Sequence, residues 1–265
     1  MKTSRIKSIV IVILALVNVF LLILLFGRQH QQRSSYERSV EQLSVLLADN
    51  GIAFDTALLP EEAPLPAAEL TRDGGAEDAF ARSLLGDASR SESGGGIVTY
   101  ENGAGFLQFR SNGTVDGEAD CPAKDPAAFA DGLLSPLGYL TDASAVSADG
   151  SGTVTAMREA EGAPIFNAPL TFTFEKNVLV SVSGSFLPSV TLTKSADGMD
   201  AISALVRFLD YRNTNGLVCT QIAYLESGYL LQSAAASPKL IPAWHVTTDV
   251  SNYYVNSVTG EITRE

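Results

Sequence analysis

The chain has 265 residues, a formal net charge of −12 and only two cysteines. Residues 1–33 hold five Lys or Arg residues and no acidic residue, so the rest of the chain carries 13 basic and 30 acidic side chains, a net charge of −17. This acidic balance argues against nucleic acid and anionic lipid as partners. Cys121 and Cys219 are too few for a disulfide scaffold, which leaves two alternatives, one disulfide or two buried thiols.

Near the start of the chain, residues 8–26 form nineteen consecutive positions without a charge. As a helix they would reach about 28 Å, close to the thickness of a hydrocarbon core. The run ends in Phe26, Gly27 and Arg28 and lacks the small residues of a signal-peptidase site. We therefore expect a retained signal anchor, with residues 1–7 in the cytoplasm because the basic residues precede the span.

One stripe of this predicted span combines small and polar residues at heptad spacing. Asn18 lies near the centre of the span, where an unsatisfied amide is costly and a partner helix could supply its hydrogen bonds. The alternative is that Asn18 bonds the carbonyls of its own helix. The candidate partner-binding stripe consists of Ser8, Ile11, Ala15, Asn18, Leu22 and Leu25.

Behind the span, apolar spacing predicts a helix over residues 36–50 that ends at Asn50-Gly51. A turn-rich link over residues 55–76 precedes a short predicted helix over 77–85, and residues 91–96 are expected to form a flexible break. Two strands are predicted at 97–100 and 105–110, joined by a tight turn at Asn102-Gly103.

From residue 122 onward the pattern is a helix, then strands, and then the same again. Helices are predicted over 127–140 and 199–211, and the shift that places Phe129 on Leu205 superposes parts of the two segments. We therefore expect an α+β fold in which helices pack on antiparallel sheets, in two lobes with repeated helix-plus-strands units. The expected domains are 27–120, with a stalk helix, linker and N-terminal lobe, and 121–265, the C-terminal lobe. The predicted strands cover 170–174, 178–186, 222–231, 243–248 and 253–262.

The sequence offers little for catalysis. Its two histidines, His30 and His245, cannot form an inward-facing metal triad, and no GxSxG elbow is present. Gly94-Gly95-Gly96 precedes a strand and so lacks the geometry that cradles phosphate. The acidic residues beside turns lack calcium-loop spacing and are interpreted as caps and turn residues. We expect a protein that is not an enzyme and carries no metal or cofactor.

The end of the chain carries the aromatic residues that could contact a ligand outside the membrane. Trp244 and His245 lie in a predicted strand, and Tyr253 and Tyr254 begin a predicted hairpin in which Gly260 can supply a positive φ. These four residues are the candidate ectodomain binding residues. The alternative, which aromatic residues in strands favour, is that Trp244 and Tyr254 belong to the core.

These features together resemble the YycI-like regulatory proteins of the YycFG two-component system, and the closing hairpin resembles that of PepSY domains. The resemblance implies two PepSY-like helix-plus-strands units within residues 121–265. The resemblance is carried by the basic start and Val17-Asn18-Val19-Phe20-Leu21. It is also carried by Gly228-Tyr229, Pro242, Trp244, Tyr254-Val255-Asn256 and Thr259-Gly260-Glu261. It covers both ends of the chain, whereas residues 55–120 match weakly.

The resemblance implies a single-pass protein of the cell membrane with a cytoplasmic N-terminus and an extracytoplasmic domain. The expected partners are a sensor histidine kinase and a YycH-like protein, and the chain itself is expected to form a homo- or hetero-dimer. The two-component system controls cell-wall homeostasis. Two alternatives follow from the sequence. One is a PepSY-type binding module that inhibits a protease or binds a cell-wall ligand. The other is a cell-envelope hydrolase with an unrecognised carboxylate pair.

Overall fold

A computed structural model of the chain describes residues 35–60, 64–192, 198–232 and 238–265. These residues form an α+β fold whose sheets are built mostly from antiparallel strands, which confirms the predicted class. The predicted span over residues 8–26, and with it the whole Asn18 stripe, lies outside the described residues. Within the described ranges no helix is both long enough and apolar enough to cross a bilayer.

The described residues divide into two compact units, and the first of them comprises residues 35–57. Its described part holds helix α1, residues 35–49, and a short strand β1 (Ala53–Phe54). The predicted helix end is confirmed, because the Asn50 side chain donates to the carbonyl of Leu46 at 2.8 Å and Gly51 has a φ of +72°. Leu43 and Leu47 are buried, so α1 is amphipathic as the spacing predicts.

The second compact unit comprises residues 58–265 and holds the other helices and strands. Its helices are α2 (Gly74–Leu85), α3 (Pro126–Leu134) and α4 (Ala201–Thr214). Its strands are β2 (Ala68–Leu70), β3 (Ser89–Ser93), β4 (Ile97–Asn102), β5 (Gly105–Phe109), β6 (Thr114–Pro122), β7 (Tyr139–Val146), β8 (Gly152–Ala160), β9 (Ala163–Pro164), β10 (Leu170–Glu175), β11 (Val178–Ser185), β12 (Val190–Leu192), β13 (Gln221–Gln232), β14 (Lys239–Thr248), β15 (Asn252–Asn256) and β16 (Ile262–Arg264).

A helix followed by a four-stranded antiparallel meander occurs three times in the described part of this unit. The meanders are β3-β4-β5-β6 after α2, β7-β8-β10-β11 after α3, and β13-β14-β15-β16 after α4. The first two join in one sheet through their last strands, β6 and β11, so the strand order is palindromic about that pair. Strand β6 runs through the predicted domain boundary between residues 120 and 121, so strands from both sides of it share one sheet.

One face of this first sheet carries the apolar core beneath α2 and α3. Phe80 of α2 lies against Phe109, Phe172 and Phe186, at ring-centroid distances of 6.2, 6.1 and 4.6 Å. Leu134 of α3 belongs to the same buried cluster. Both helices therefore pack on the same face, and the two meanders share one core.

The second sheet is the third meander, extended by β2 on β14 and by β12 on β2. Helix α4 begins two residues later than predicted, where the Asp200 carboxylate accepts a hydrogen bond from Ser203 N at 2.8 Å and so caps the helix. Phe208 of α4 packs on Tyr253 of β15 with ring centroids 5.1 Å apart. Helix α4 therefore covers one face of this sheet.

Several predicted boundaries differ from the structure. Helix α3 ends at Leu134 and not at residue 140, because Pro136 has no N–H and Gly138 adopts φ +76°. The expected flexible break at 91–96 contains the end of strand β3. The shift proposed for the repeat places Val178 of β11 on Tyr254 of β15, which matches a fourth strand with a third strand, so it fails beyond the helices.

Candidate functional site

Strand alternation divides the four candidate residues between the two faces of the second sheet. The antiparallel register places His245 opposite Tyr254, whereas Trp244 lies opposite Val255 and Val246 opposite Tyr253. Because successive side chains of a strand point to opposite faces, His245 and Tyr254 share one face and Trp244 and Tyr253 share the other. The structure therefore brings two of the candidates together on the face away from α4 and separates them from the other two.

Trp244 and Tyr253 belong to the core under α4. Each side chain is only 2% exposed. Trp244 Nε1 donates to the carbonyl of Met199, just before α4, at 2.9 Å. Tyr253 packs against the rings of Phe208 and Tyr211. Neither residue can contact a ligand on the opposite face. The core alternative, given for Trp244 and Tyr254, therefore holds for Trp244, and Tyr254 is itself only 7% exposed.

On the opposite face His245 and Tyr254 pack with Phe166, a residue that the sequence did not single out. The His245 and Tyr254 rings stack at 5.0 Å with an interplanar angle of 27°. The Phe166 ring lies 5.1 Å from His245 and 5.4 Å from Tyr254. We call Phe166, His245 and Tyr254 the aromatic cluster.

Phe166 reaches this face because the segment before β10 pairs in parallel with β13. Phe166 N donates to the carbonyl of Tyr229 at 2.9 Å. The Asn167 side chain then bonds both backbone groups of Leu231, donating to its carbonyl at 3.0 Å and accepting from its N–H at 2.6 Å. These bonds anchor the segment along β13.

Gly228 makes room for the Phe166 ring. A Cβ atom at this position would lie 2.4 Å from Phe166 Cζ and 2.6 Å from the carbonyl oxygen of Pro164. Real Cβ atoms do not approach other atoms this closely, so a side chain at position 228 would displace the ring. The glycine is therefore required by the close approach of the segment before β10.

A groove of about 610 Å³ opens beside the aromatic cluster. Phe166 and Tyr254 form part of its wall, and Ile241 of β14 lines it further along the sheet. Its polar rim includes the carboxylates of Glu261 and Glu265. The other lining residues are Asn167, Pro169, Leu230, Leu231, Gln232, Asn256, Thr263 and Arg264.

Burial perturbs the titratable groups of this face. It lowers the pKa of His245, whose buried Nε2 has no hydrogen-bond partner among the described residues, and the nearby Glu265 carboxylate opposes the shift. Burial, together with Glu265, raises the pKa of Tyr254 to about 12. Burial and then Glu159 raise the pKa of Glu226, which lies opposite His245 on β13. His245 is therefore a neutral ring at neutral pH.

The arrangement suits binding by apolar contact and hydrogen bonding. In the part of the chain that the structure describes, no group of three or more His, Cys, Asp or Glu side chains could hold a metal ion. Cys121 and Cys219 are both free thiols, and burial raises the pKa of each. The structure therefore shows two free thiols and no disulfide between them, but only Cys219 is buried, whereas Cys121 is partly exposed.

The chain is thus an α+β protein with an open groove that is partly lined by aromatic residues. No protein-family model and no curated protein matches the sequence. Among solved structures, the chain is similar to an uncharacterized protein from Eubacterium rectale ATCC 33656. The two share 9% sequence identity at a TM-score of 0.42, over 77% of this chain and 86% of that one. That likeness is too distant to assign a function.

Proposed function

We propose that the chain is a non-enzymatic, membrane-anchored accessory regulator of a sensor histidine kinase in a system that controls cell-wall homeostasis. In this proposal residues 8–26 span the cell membrane once, and the α+β body lies outside the cytoplasm. The protein acts by binding two conformations of its partner with different affinity, since only differential affinity shifts an equilibrium. The kinase and the YycH-like partner come from the resemblance to YycI-like proteins.

The observation that carries the binding role is the groove beside Phe166 and Tyr254. It is open to solvent, and aromatic and aliphatic side chains form one part of its wall, while polar and charged side chains form the rest. Binding sites for peptides and small molecules combine apolar walls with polar groups that fix the orientation of the ligand. We propose the groove as the site where the ectodomain of the regulator contacts its partner. The His245 ring of β14 supports the Tyr254 ring by stacking against it.

The architecture supports a modular origin for this body. We propose that the helix-plus-strands unit, predicted twice within residues 121–265, occurs three times, since each of α2, α3 and α4 is followed by a four-stranded meander. The N-terminal lobe predicted over residues 27–120 would then contain the first of these units. PepSY-like character is proposed for the two units within residues 121–265, the second of which carries the closing hairpin.

The membrane part of the proposal is tested by exchanging residues 8–26 for an unrelated transmembrane helix in the full chain. We expect the exchanged chain to lose co-purification with the kinase and its effect on kinase output. Asn18→Leu should weaken the association by about 1 kcal/mol, the scale of one interhelical polar contact, with Val17→Leu as the matched control. Unchanged complex formation after the exchange would contradict docking through the span.

The ectodomain part is tested by filling the groove. Thr263→Trp adds bulk to the groove lining, whereas Val258→Trp adds similar bulk in the exposed turn between β15 and β16, outside the groove. We expect the first variant to lose partner binding and the second to keep it. Equal binding by both variants would remove the groove from the proposal.

The groove also favours a second candidate, a PepSY-type extracytoplasmic binding module that inhibits a protease or binds a cell-wall ligand. Here the groove alone carries the activity, and the span serves only as an anchor. The exchange of residues 8–26 separates the two candidates. A binding module keeps its target after the exchange and loses it in Thr263→Trp.

A further inference from the structure

Strand β3 forms one edge of the first sheet. Within the described ranges it pairs only with β4, in five consecutive pairs from Ser89 opposite Glu101 to Ser93 opposite Ile97. All five of its residues, Ser-Arg-Ser-Glu-Ser, are exposed. Its outer backbone N–H and C=O groups are therefore available to another strand.

The charges of β3 are arranged symmetrically about Ser91. If a second copy of β3 pairs antiparallel with Ser91 opposite Ser91, Arg90 of each copy lies opposite Glu92 of the other. Ser89 then lies opposite Ser93. Opposite charges in directly facing positions stabilise antiparallel pairs, and like charges destabilise them.

Other registers lack this match. A slip of one residue in either direction places Arg90 and Glu92 opposite serines. A slip of two residues places Arg90 opposite Arg90 or Glu92 opposite Glu92. The charge pattern therefore selects one register, with a twofold axis at Ser91.

The side chains leave room for this pairing. Arg90 lies on the face of α2, where it shares a hydrogen bond with Tyr100 of β4 and makes only long carboxylate contacts, 3.8 Å to Asp78 and 3.6 Å to Glu92. Both Arg90 and Glu92 side chains are about half exposed, at 48% and 62%. Alternation places the three serines on the other face, where their small side chains offer no obstacle.

The opposite edge of the same sheet is built differently. Strand β7 occupies the position equivalent to β3, but its pairing with β8 shifts register between Asp142 and Ala145. There Ser144 N donates to the Asp142 carboxylate at 2.8 Å. Such an irregularity is a common protection against edge pairing. The pairing of β3 with β4 has no such interruption.

We propose that β3 is a homotypic interaction surface through which two copies of this chain pair antiparallel, with Ser91 on the twofold axis and reciprocal Arg90–Glu92 contacts. The pairing continues the first sheet from one copy into the next. Only five residues of each copy take part, so the association is weak in dilute solution and increases with local concentration.

Cysteine cross-linking of the full chain in detergent micelles tests the register. Ser91→Cys should form a disulfide-linked dimer on mild oxidation, because the introduced thiol faces the same thiol of the second copy. Ser89→Cys or Ser93→Cys alone should not, whereas a mixture of the two should. The unsubstituted chain controls for Cys121 and Cys219. Cross-linking of Ser91→Cys no greater than that of Ser89→Cys alone would overturn the proposal.

Charge reversal in the Ser91→Cys background tests the contacts. Arg90→Glu or Glu92→Arg should each lower cross-linking about tenfold, since two attractive pairs become repulsive. Mixing these two variants should restore it as a heterodimer, and so should combining both reversals in one chain. Cross-linking can be restored only if the variant chains are folded. Its recovery therefore shows that each single reversal disrupts pairing and does not cause misfolding. Loss without restoration, or no loss, would overturn the proposal.

Discussion

The two faces of the second sheet carry aromatic residues for different purposes. Under α4, Trp244 and Tyr253 are sealed, and the Trp244 indole N–H is satisfied by the carbonyl of Met199. On the other face, His245 and Tyr254 stack with Phe166 beside a groove, and His245 Nε2 has no partner among the described residues. Adjacent positions of the same two strands thus belong to the core under α4 on one face and to an aromatic cluster beside an open groove on the other.

The largest loss of stability is expected from a substitution on the face of the second sheet that α4 covers. Trp244→Ala should lower the free energy of unfolding by about 3–5 kcal/mol, because it leaves a cavity under α4 and removes the bond to Met199. Thermal unfolding of the full chain followed by circular dichroism measures the change. Trp244→Phe, which keeps most of the apolar volume, should cost clearly less. Equal losses would show that the cavity is not the cause.

A smaller effect is expected where the open face depends on close approach. Gly228→Val should cost about 1–3 kcal/mol, since its side chain would overlap the Phe166 ring and the Pro164 carbonyl. Adding Phe166→Ala should recover part of this cost, because it removes the ring but not the carbonyl. The same melting experiment checks both variants. No recovery in the double variant would contradict a clash with the ring.

The hydrogen bonds of Asn167, which anchor the segment that carries Phe166, are expected to contribute less to the free energy of unfolding. Asn167→Ala removes both side-chain bonds to Leu231 in an exposed setting and should cost about 1 kcal/mol. Asn167→Asp keeps the acceptor for Leu231 N and loses the donor, so its cost should be intermediate. Hydrogen exchange at the Leu231 amide should quicken most in Asn167→Ala. Unchanged exchange would mean that these bonds do not hold the segment.

The smallest effect concerns pH. Because burial lowers the pKa of His245, the unfolded chain binds its proton first on acidification, and stability falls as pH drops below the ordinary histidine value of 6.5. Glu226, whose pKa is raised, acts in the opposite direction at lower pH. Between about pH 7.5 and 5.5, we expect His245 to lower the melting temperature by less than about 2 °C. The variant His245→Gln should lack this decrease. An equal pH dependence in both proteins would contradict a buried neutral ring.

Elements with strong local signals were predictable from the sequence. The Ile97–Asn102 and Gly105–Phe109 hairpin follows from turn chemistry, and helix α4 follows from apolar spacing. Strand β6 was missed because its buried face is Val115, Gly117 and Ala119, while acidic residues occupy its other face. A strand whose apolar face is made of small residues has little hydrophobic periodicity.

Only part of the candidate site could be predicted from the sequence. Alternation in β14 already separates Trp244 from His245, so their opposite faces could have been predicted. The contribution of Phe166 could not, because it depends on parallel pairing with β13, a strand that lies far along the chain and beyond α4. Gly228 was the one local signal, as a glycine inside a strand often marks a close approach of another backbone.

The shared core of the first sheet limits how this protein can be divided. Aromatic and aliphatic side chains from α2, α3 and every strand of the first two meanders except β3 fill one cluster across the β6–β11 junction. A truncation at residue 120 would expose hydrophobic side chains in each fragment and leave each with an incomplete core. The two meanders should therefore unfold in a single cooperative transition, and useful deletion variants must keep residues 74–185 intact.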